Sequence, residues 1–153
     1  MIFEKDKQTG SILVGCIIAY GAFILVALVI GVKSYYETPP RYLLVALLAV
    51  TAIYMIVYLL RFIRLYRLWK NAFLEMGEDQ VCGFGADEKL RHGKRFEIPS
   101  QSLEDVSLTT VFMTRKTPLN ALKLKANGET RLIIGLEIDE QLKEELRKAD
   151  EKY

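Results

Sequence analysis

The chain has 153 residues, 51% of them hydrophobic and 26% charged, with a formal net charge of +2 at neutral pH. Those averages conceal a division: residues 1–70 hold eight Lys or Arg against three Asp or Glu, and subtraction from totals of 21 and 19 leaves thirteen against sixteen for residues 71–153. A basic first half and a mildly acidic second half give no electrostatic footing for nucleic-acid binding, and two cysteines, Cys16 and Cys82, with one histidine, His92, supply neither a disulfide framework nor a metal site.

Taken in chain order, Ser11 to Val32 is a run of 22 residues and Tyr42 to Leu60 one of 19, and neither contains a charged side chain. A helix rises about 1.5 Å per residue and a hydrocarbon core is about 30 Å thick, so each run is long enough to cross. A short chain has no body in which to bury two such helices, and the first run exceeds the apolar part of a signal peptide. The reading is a membrane hairpin over residues 1–70, with spans at about 11–32 and 42–65. Lys5, Lys7, Arg61, Arg64, Arg67 and Lys70 lie on one side of it and only Lys33 and Arg41 on the other. The bias of basic residues towards the cytoplasm places both termini inside, in a multi-pass protein of the cytoplasmic membrane. Pro39-Pro40 breaks the outer connection, Tyr35, Tyr36 and Tyr42 mark its aromatic belt, and Tyr66 and Trp69 mark the inner belt.

Ser11, Gly15, Ala19, Ala27 and Gly31 fall on one i+4 row of the first span, interrupted by Phe23. Small residues let helix backbones approach closely in lipid, so the row is a candidate packing face, either against Ala46, Ala49 and Val50 of the second span or against a second copy. Counting inward from Val32 and from Tyr42 sets Tyr20 opposite Tyr54, with their hydroxyls expected at the helix interface, bonded to each other, to Thr51 or to a backbone carbonyl. Neither span carries an ionisable acid or base at mid-depth, which argues against an ion pathway through this chain alone. The second helix keeps its rhythm through Phe73 and is expected to project inward as a stalk, with Arg61, Arg64 and Arg67 available to anionic headgroups.

From residue 71 to 153 the pattern becomes that of a small β domain. Strands are expected at 71–76, 80–86, 94–98, 103–112, 119–126 and 130–135, on the alternation of Phe96 and Ile98 against Arg95 and Glu97 and of Leu122 and Leu124 against Lys123 and Lys125. Gly77, His92-Gly93 and Asn127-Gly128 mark turns, the last having the signature of a two-residue hairpin. Ile138, Leu142, Leu146 and Ala149 then form one face of a closing helix, with Asp139 as its cap and Glu144 to Lys148 as an exposed pair.

The run Leu74-Glu75-Met76 leading through Glu78-Asp79 into Val81, the segments Phe96-Glu97-Ile98-Pro99 and Leu103-Glu104-Asp105-Val106, the Asn127-Gly128 hairpin and the helix from Asp139 to Lys148 together resemble the bacterial pleckstrin-homology-like domain. The hairpin in front resembles the small bacterial membrane proteins that carry such a domain. The resemblance implies an α+β membrane protein, a transmembrane hairpin followed by a small antiparallel roll closed by a C-terminal helix, with the roll at residues 71–153 serving as a cytoplasmic scaffolding or protein-binding module. The basic first hairpin that eukaryotic relatives use for phosphoinositides is absent, since this turn reads Gly77-Glu78-Asp79.

No residue pattern supports catalysis, and no catalytic, cofactor-binding or metal-ligating residue is assigned. Gly83-Phe84-Gly85 lies within strand alternation and opens no helix, so it is not a phosphate-cradling loop. The carboxylate pairs Glu78-Asp79, Asp87-Glu88 and Glu104-Asp105 sit at turns or strand starts, where acids are ordinarily solvated, and His92 beside Gly93 reads as a turn residue. Two surfaces stay open. Lys89, Arg91, His92, Lys94 and Arg95 crowd one hairpin and are candidates, with the three stalk arginines, for binding anionic lipid; alternatively, a strand at 103–112 or 119–126 forms a roll edge that accepts a partner strand. The function expected from these features is that of a non-enzymatic, membrane-anchored interaction or regulatory module. The alternatives are an anionic-lipid sensor and an accessory subunit of a transporter or membrane enzyme, and the expected partners are membrane lipids and a protein or a second copy.

Overall fold

A computed structural model describes residues 2–3, 5–39, 41–114, 117–137 and 144. The closing helix expected around Ile138, Leu142, Leu146 and Ala149 lies, but for Glu144, outside the described residues. The elements are β1 (Ile2–Phe3), α1 (Lys7–Tyr36), α2 (Tyr42–Asn71), β2 (Phe73–Met76), β3 (Gln80–Ala86), β4 (Gly93–Pro99), β5 (Leu103–Thr114), β6 (Thr117–Ala126) and β7 (Glu129–Ile134). Six strands fall where alternation placed them, and β1 is an addition. The chain divides into two compact units, Ile12–Ile63 and a second made of Met1–Ser11 with Arg64–Tyr153.

In the first unit, α1 and α2 are 30 residues each, or about 45 Å of helix, and both are long and apolar enough to cross a membrane. Only 6% of the most apolar window of each is buried, which separates them from the core helices of a soluble protein. The seam of α1 runs through Ile17, Tyr20, Ile24, Ala27, Gly31 and Ser34, and that of α2 through Val45, Leu48, Ala52, Met55 and Leu59. The steps alternate three and four, an average of 3.5, which keeps two helices facing each other along a left-handed pair.

That period corrects one of the two packings expected of the small-residue row, the one against the second span. At 3.6 residues per turn an i+4 row rotates by about 40° a step, so it turns about 160° between Ser11 and Ala27. Ala27 and Gly31 therefore meet α2, with Leu48 Cδ1 4.0 Å from where a Gly31 side chain would begin, whereas Ser11, Gly15 and Ala19 are exposed. On the other helix Ala52 occupies the seam, while Ala46, Ala49 and Val50 are exposed. The tyrosine pairing shifts for a related reason. Helix α1 continues four residues past Val32 to Tyr36, which moves the partner of Tyr20 four residues along, from Tyr54 to Tyr58. The Tyr20 and Tyr58 ring centroids are 6.1 Å apart, and Phe62 meets Tyr20 edge-on at 4.9 Å. The Tyr54 hydroxyl donates along its own helix to that of Tyr58 at 3.1 Å, and Thr51 Oγ1 donates to the Leu47 carbonyl at 2.8 Å.

The second unit is a curled antiparallel sheet. Its strand path is β1-β2-β3-β7-β6-β5, with β4 on the other edge of β3. The meander β2-β3-β4 and the meander β5-β6-β7 are joined where Ala86 meets Leu132, and they enclose Leu74, Val81, Leu103, Leu122, Leu124 and Ile133. Fully buried aliphatic side chains of this kind contribute about 1.5–3 kcal/mol each. Gly83 belongs to this packing rather than to a phosphate loop, because a side chain there would begin 2.6 Å from the Phe96 ring. Asn127 and Gly128 have φ of 51° and 74°, the pair of positive values that a two-residue β6–β7 hairpin requires.

The N-terminal segment is part of this unit and not a free tail. Strand β1 pairs with β2 through Ile2↔Glu75 and Phe3↔Leu74, and Phe3 joins the core. Asp6 then caps α1, its carboxylate accepting from the N–H groups of Gln8 at 2.8 Å and Thr9 at 3.2 Å. The C-terminal end of α2 belongs here too, with Leu65 and Leu68 buried, so it is packed rather than a bare stalk. Trp69, expected in an aromatic belt, lies between Gly10 and Gly135 and donates its Nε1–H to the Asp6 carbonyl at 3.1 Å.

Candidate functional site

The basic residues of the β3–β4 hairpin divide as strand geometry requires. Asp87 organises the loop: its Oδ1 accepts from the Arg91 N–H at 2.6 Å, and its carbonyl accepts from the N–H of Leu90, whose φ is 54°. The Arg91 N–H, followed by that of His92 and the positive charge nearby, holds the Asp87 carboxyl below its ordinary pKa. Lys94 and Arg95 are consecutive on β4 and so point to opposite faces, and the Arg95 guanidinium sits 5.9 Å above the Phe73 ring. The five basic residues are exposed, but they do not share one surface.

Lys89, Arg91 and His92 line an open groove of about 610 Å³ against the β6–β7 turn. Its other walls bring Asp87, Glu88, Glu129 and Arg131, so three carboxylates stand among three permanent cations, and Glu129 already pairs with Arg131. A smaller groove of about 370 Å³ follows β4 past Arg95, Glu97 and Glu129 with the same mixture. Mixed charge of this kind offers an anionic headgroup little net attraction. Arg61, Arg64 and Arg67 are exposed on α2, at steps of three that spread them about 120° around the helix axis rather than along one line.

The roll edge gives a clearer surface. Strand β6 lies between β5 and β7 and is therefore no edge, whereas β5 ends the strand path and, among the described residues, pairs only with β6. Along β5, Val106 packs against the core, Leu108 and Phe112 are 45% and 52% exposed, and Val111 on the opposite face is buried. At the strand's start Glu104 is held by Lys125 at 3.0 Å and accepts from the Gly128 N–H at 3.0 Å, which together keep its carboxyl below the ordinary pKa. Two other features had no clear reading in sequence. One is the Asp6–Trp69 lock, whose single local signal is Asp6 immediately before a helical run. The other is an apolar cleft of about 340 Å³ between Ala27, Gly31, Leu48 and Ala52 in the helical unit. No family model, curated protein or solved structure matches this chain.

Proposed function

We propose that the chain is a two-span protein of the cytoplasmic membrane whose β roll, similar to the bacterial pleckstrin-homology-like domain, faces the cytoplasm and acts as a non-enzymatic interaction or regulatory module for a protein partner. The observation that carries this reading is the β5 edge, which among the described residues pairs only with β6 and has the large apolar Leu108 exposed beside it, because natural sheets cover or charge such edges unless something pairs with them. The apolar outer surfaces of α1 and α2 support membrane insertion, since a water-soluble chain does not expose apolar patches of that size. Pairing of β1 with β2 supports a shared side for both termini, because residues preceding the first span and following the second hydrogen-bond to one another. The Lys and Arg asymmetry favours the cytoplasm as that side. Two meanders packed face to face are what the proposed roll requires. The balanced charges of the two grooves favour a protein partner over a headgroup.

The test is co-purification from native membranes in mild detergent, comparing the parent with a Leu108→Asp/Phe112→Asp variant. Polypeptides retained by the parent and lost from the variant, with the membrane anchor intact, are expected. An identical set from both chains would remove β5 as the interaction surface.

A further inference from the structure

We infer that the cleft between α1 and α2 is a lipid site, which holds an acyl chain of a phospholipid from the leaflet in which α1 ends and α2 begins. This site rests on the reading that the two helices cross a membrane, and it names what the helical unit binds there.

The cleft is apolar, about 340 Å³ in volume, and lined by Ala27, Gly31 and Tyr35 of α1 and by Val45, Leu48 and Ala52 of α2. An apolar cavity of about 150 Å³ already takes up benzene, and a void left empty deprives its walls of van der Waals partners. The depth of the cleft matches one leaflet. From Tyr42 to Ala52 the helix rises about 15 Å, half of a hydrocarbon core of about 30 Å. Farther along the seam, Tyr20, Tyr58 and Phe62 are in ring contact and Phe62 is fully buried, so the space belongs to one leaflet only. A membrane-crossing helix of a second copy would follow the pair through the full thickness, whereas an acyl chain ends where its leaflet does. The mouth adds polar groups in the order in which a lipid presents its own. The Tyr35 ring meets those of Tyr36 and Tyr42 edge-on at 5.4 and 6.4 Å, which sets three phenols near the depth of the ester groups. Arg41 comes four residues before Val45, whose N–H its carbonyl accepts at 3.1 Å, so it stands on the cleft side of α2. Its Nε pairs with Glu37 Oε2 at 2.9 Å in an exposed ion pair, which leaves the terminal N–H groups of the guanidinium for a phosphate.

The experiment uses the full chain in two settings. In nanodiscs of phosphatidylcholine carrying a diazirine at mid-chain, illumination is expected to place adducts on Gly31, Leu48 and Ala52 in preference to Val26 and Val29, which are exposed and outside the cleft. After purification from membranes in mild detergent, native mass spectrometry is expected to find a phospholipid retained on the chain. Gly31→Leu fills the cleft, with Leu48 Cδ1 4.0 Å from where the new side chain begins, and is expected to lower that retention at least about tenfold with helix content unchanged. Val29→Leu, on the exposed face, should retain as much as the parent. Arg41→Gln should also lower retention, and an equal amount from that chain removes the phosphate from Arg41. Adducts no denser in the cleft than at Val26 and Val29, or equal retention by the parent and Gly31→Leu chains, overturn the site and leave the spans standing. A Gly31→Cys chain in a Cys16→Ser/Cys82→Ser background that forms a disulfide-linked dimer in the nanodisc assigns the cleft to a second copy and overturns the site as well. A chain that alkaline carbonate releases from membranes overturns the membrane reading itself.

Discussion

Gly10→Ala should destabilise the parent chain and stabilise a Trp69→Phe chain. A methyl group at Gly10 would begin 2.3 and 2.4 Å from Cη2 and Cζ2 of Trp69 and 2.9 Å from Cζ3, all atoms of the outer indole ring. Ordinary contact starts near 3.4 Å, so the ring must retreat by roughly 1 Å. It cannot do so freely, because Gly135 confines its other side, with Cδ1 2.6 Å from where a side chain there would begin, and because Nε1 is bonded to the Asp6 carbonyl. Overpacking of this sort costs about 1–3 kcal/mol, a strained hydrogen bond adds up to about 1, and the gain in helix propensity from Gly to Ala returns up to about 1. The net is a loss of about 1–2 kcal/mol. Phenylalanine lacks the ring atoms that clash, so in a Trp69→Phe chain only the propensity gain remains and the sign reverses. Trp69→Phe by itself should cost about 1–3 kcal/mol through the space it leaves and the Asp6 carbonyl it deprives of a donor. The assay is unfolding of the full chain in detergent, followed by circular dichroism. Trp69 is the only tryptophan, so its emission in Gly10→Ala should also shift to the red. Equal effects of Gly10→Ala in both backgrounds, or an unchanged emission spectrum, would refute the proposed lock.

Three further outcomes are expected. In intact cells an impermeant maleimide should label Thr38→Cys and leave Gln101→Cys unlabelled; Ser34 is a poor site for such a probe because it is buried, and labelling at position 101 alone would reverse the topology. Within the helix pair, Ala19→Leu should change the stability of one chain little, because Ala19 is exposed, and Tyr54→Phe should cost about 0.6 kcal/mol, both measured by unfolding in detergent. The Asp87 carboxyl is held below its ordinary value by the N–H groups it accepts, so its contribution to loop stability is present above the unfolded value of about pH 4 and is lost as the pH falls through the depressed folded value. The amide exchange of Arg91 should accelerate over that acid range, and Asp87→Asn should abolish the pH dependence; a loop that responds equally in both chains would show that Asp87 does not hold it.

Local chemistry decided much of this protein. Uncharged runs of 22 and 19 residues dictate two long helices whatever surrounds them, because length and hydropathy are properties of the segment itself. Strands β2 to β7 were legible for the same reason: alternation at Phe96 and Ile98 or Leu122 and Leu124 reports a half-buried strand, and Asn127-Gly128 names its own turn. Pairing partners are not local. Whether β5 or β6 forms the edge depends on where β7 lies, and no residue of either strand announces it. The basic side chains from Lys89 to Arg95 are near one another in sequence, yet alternation sends Lys94 and Arg95 to opposite faces, and Glu129 and Arg131 enter the groove from another hairpin. The small-residue row does not follow the contact between the two helices along its whole length, because a helix turns 3.6 residues at a time while two paired helices meet at a 3.5 spacing, a difference visible only once the partner is in place. Ile2 and Phe3 are too short a segment to declare a strand, and Trp69 carries no sign of Gly10, 59 positions earlier. Tertiary structure alone placed the indole there, where two glycines leave the space for a ring and the Asp6 carbonyl waits for its N–H.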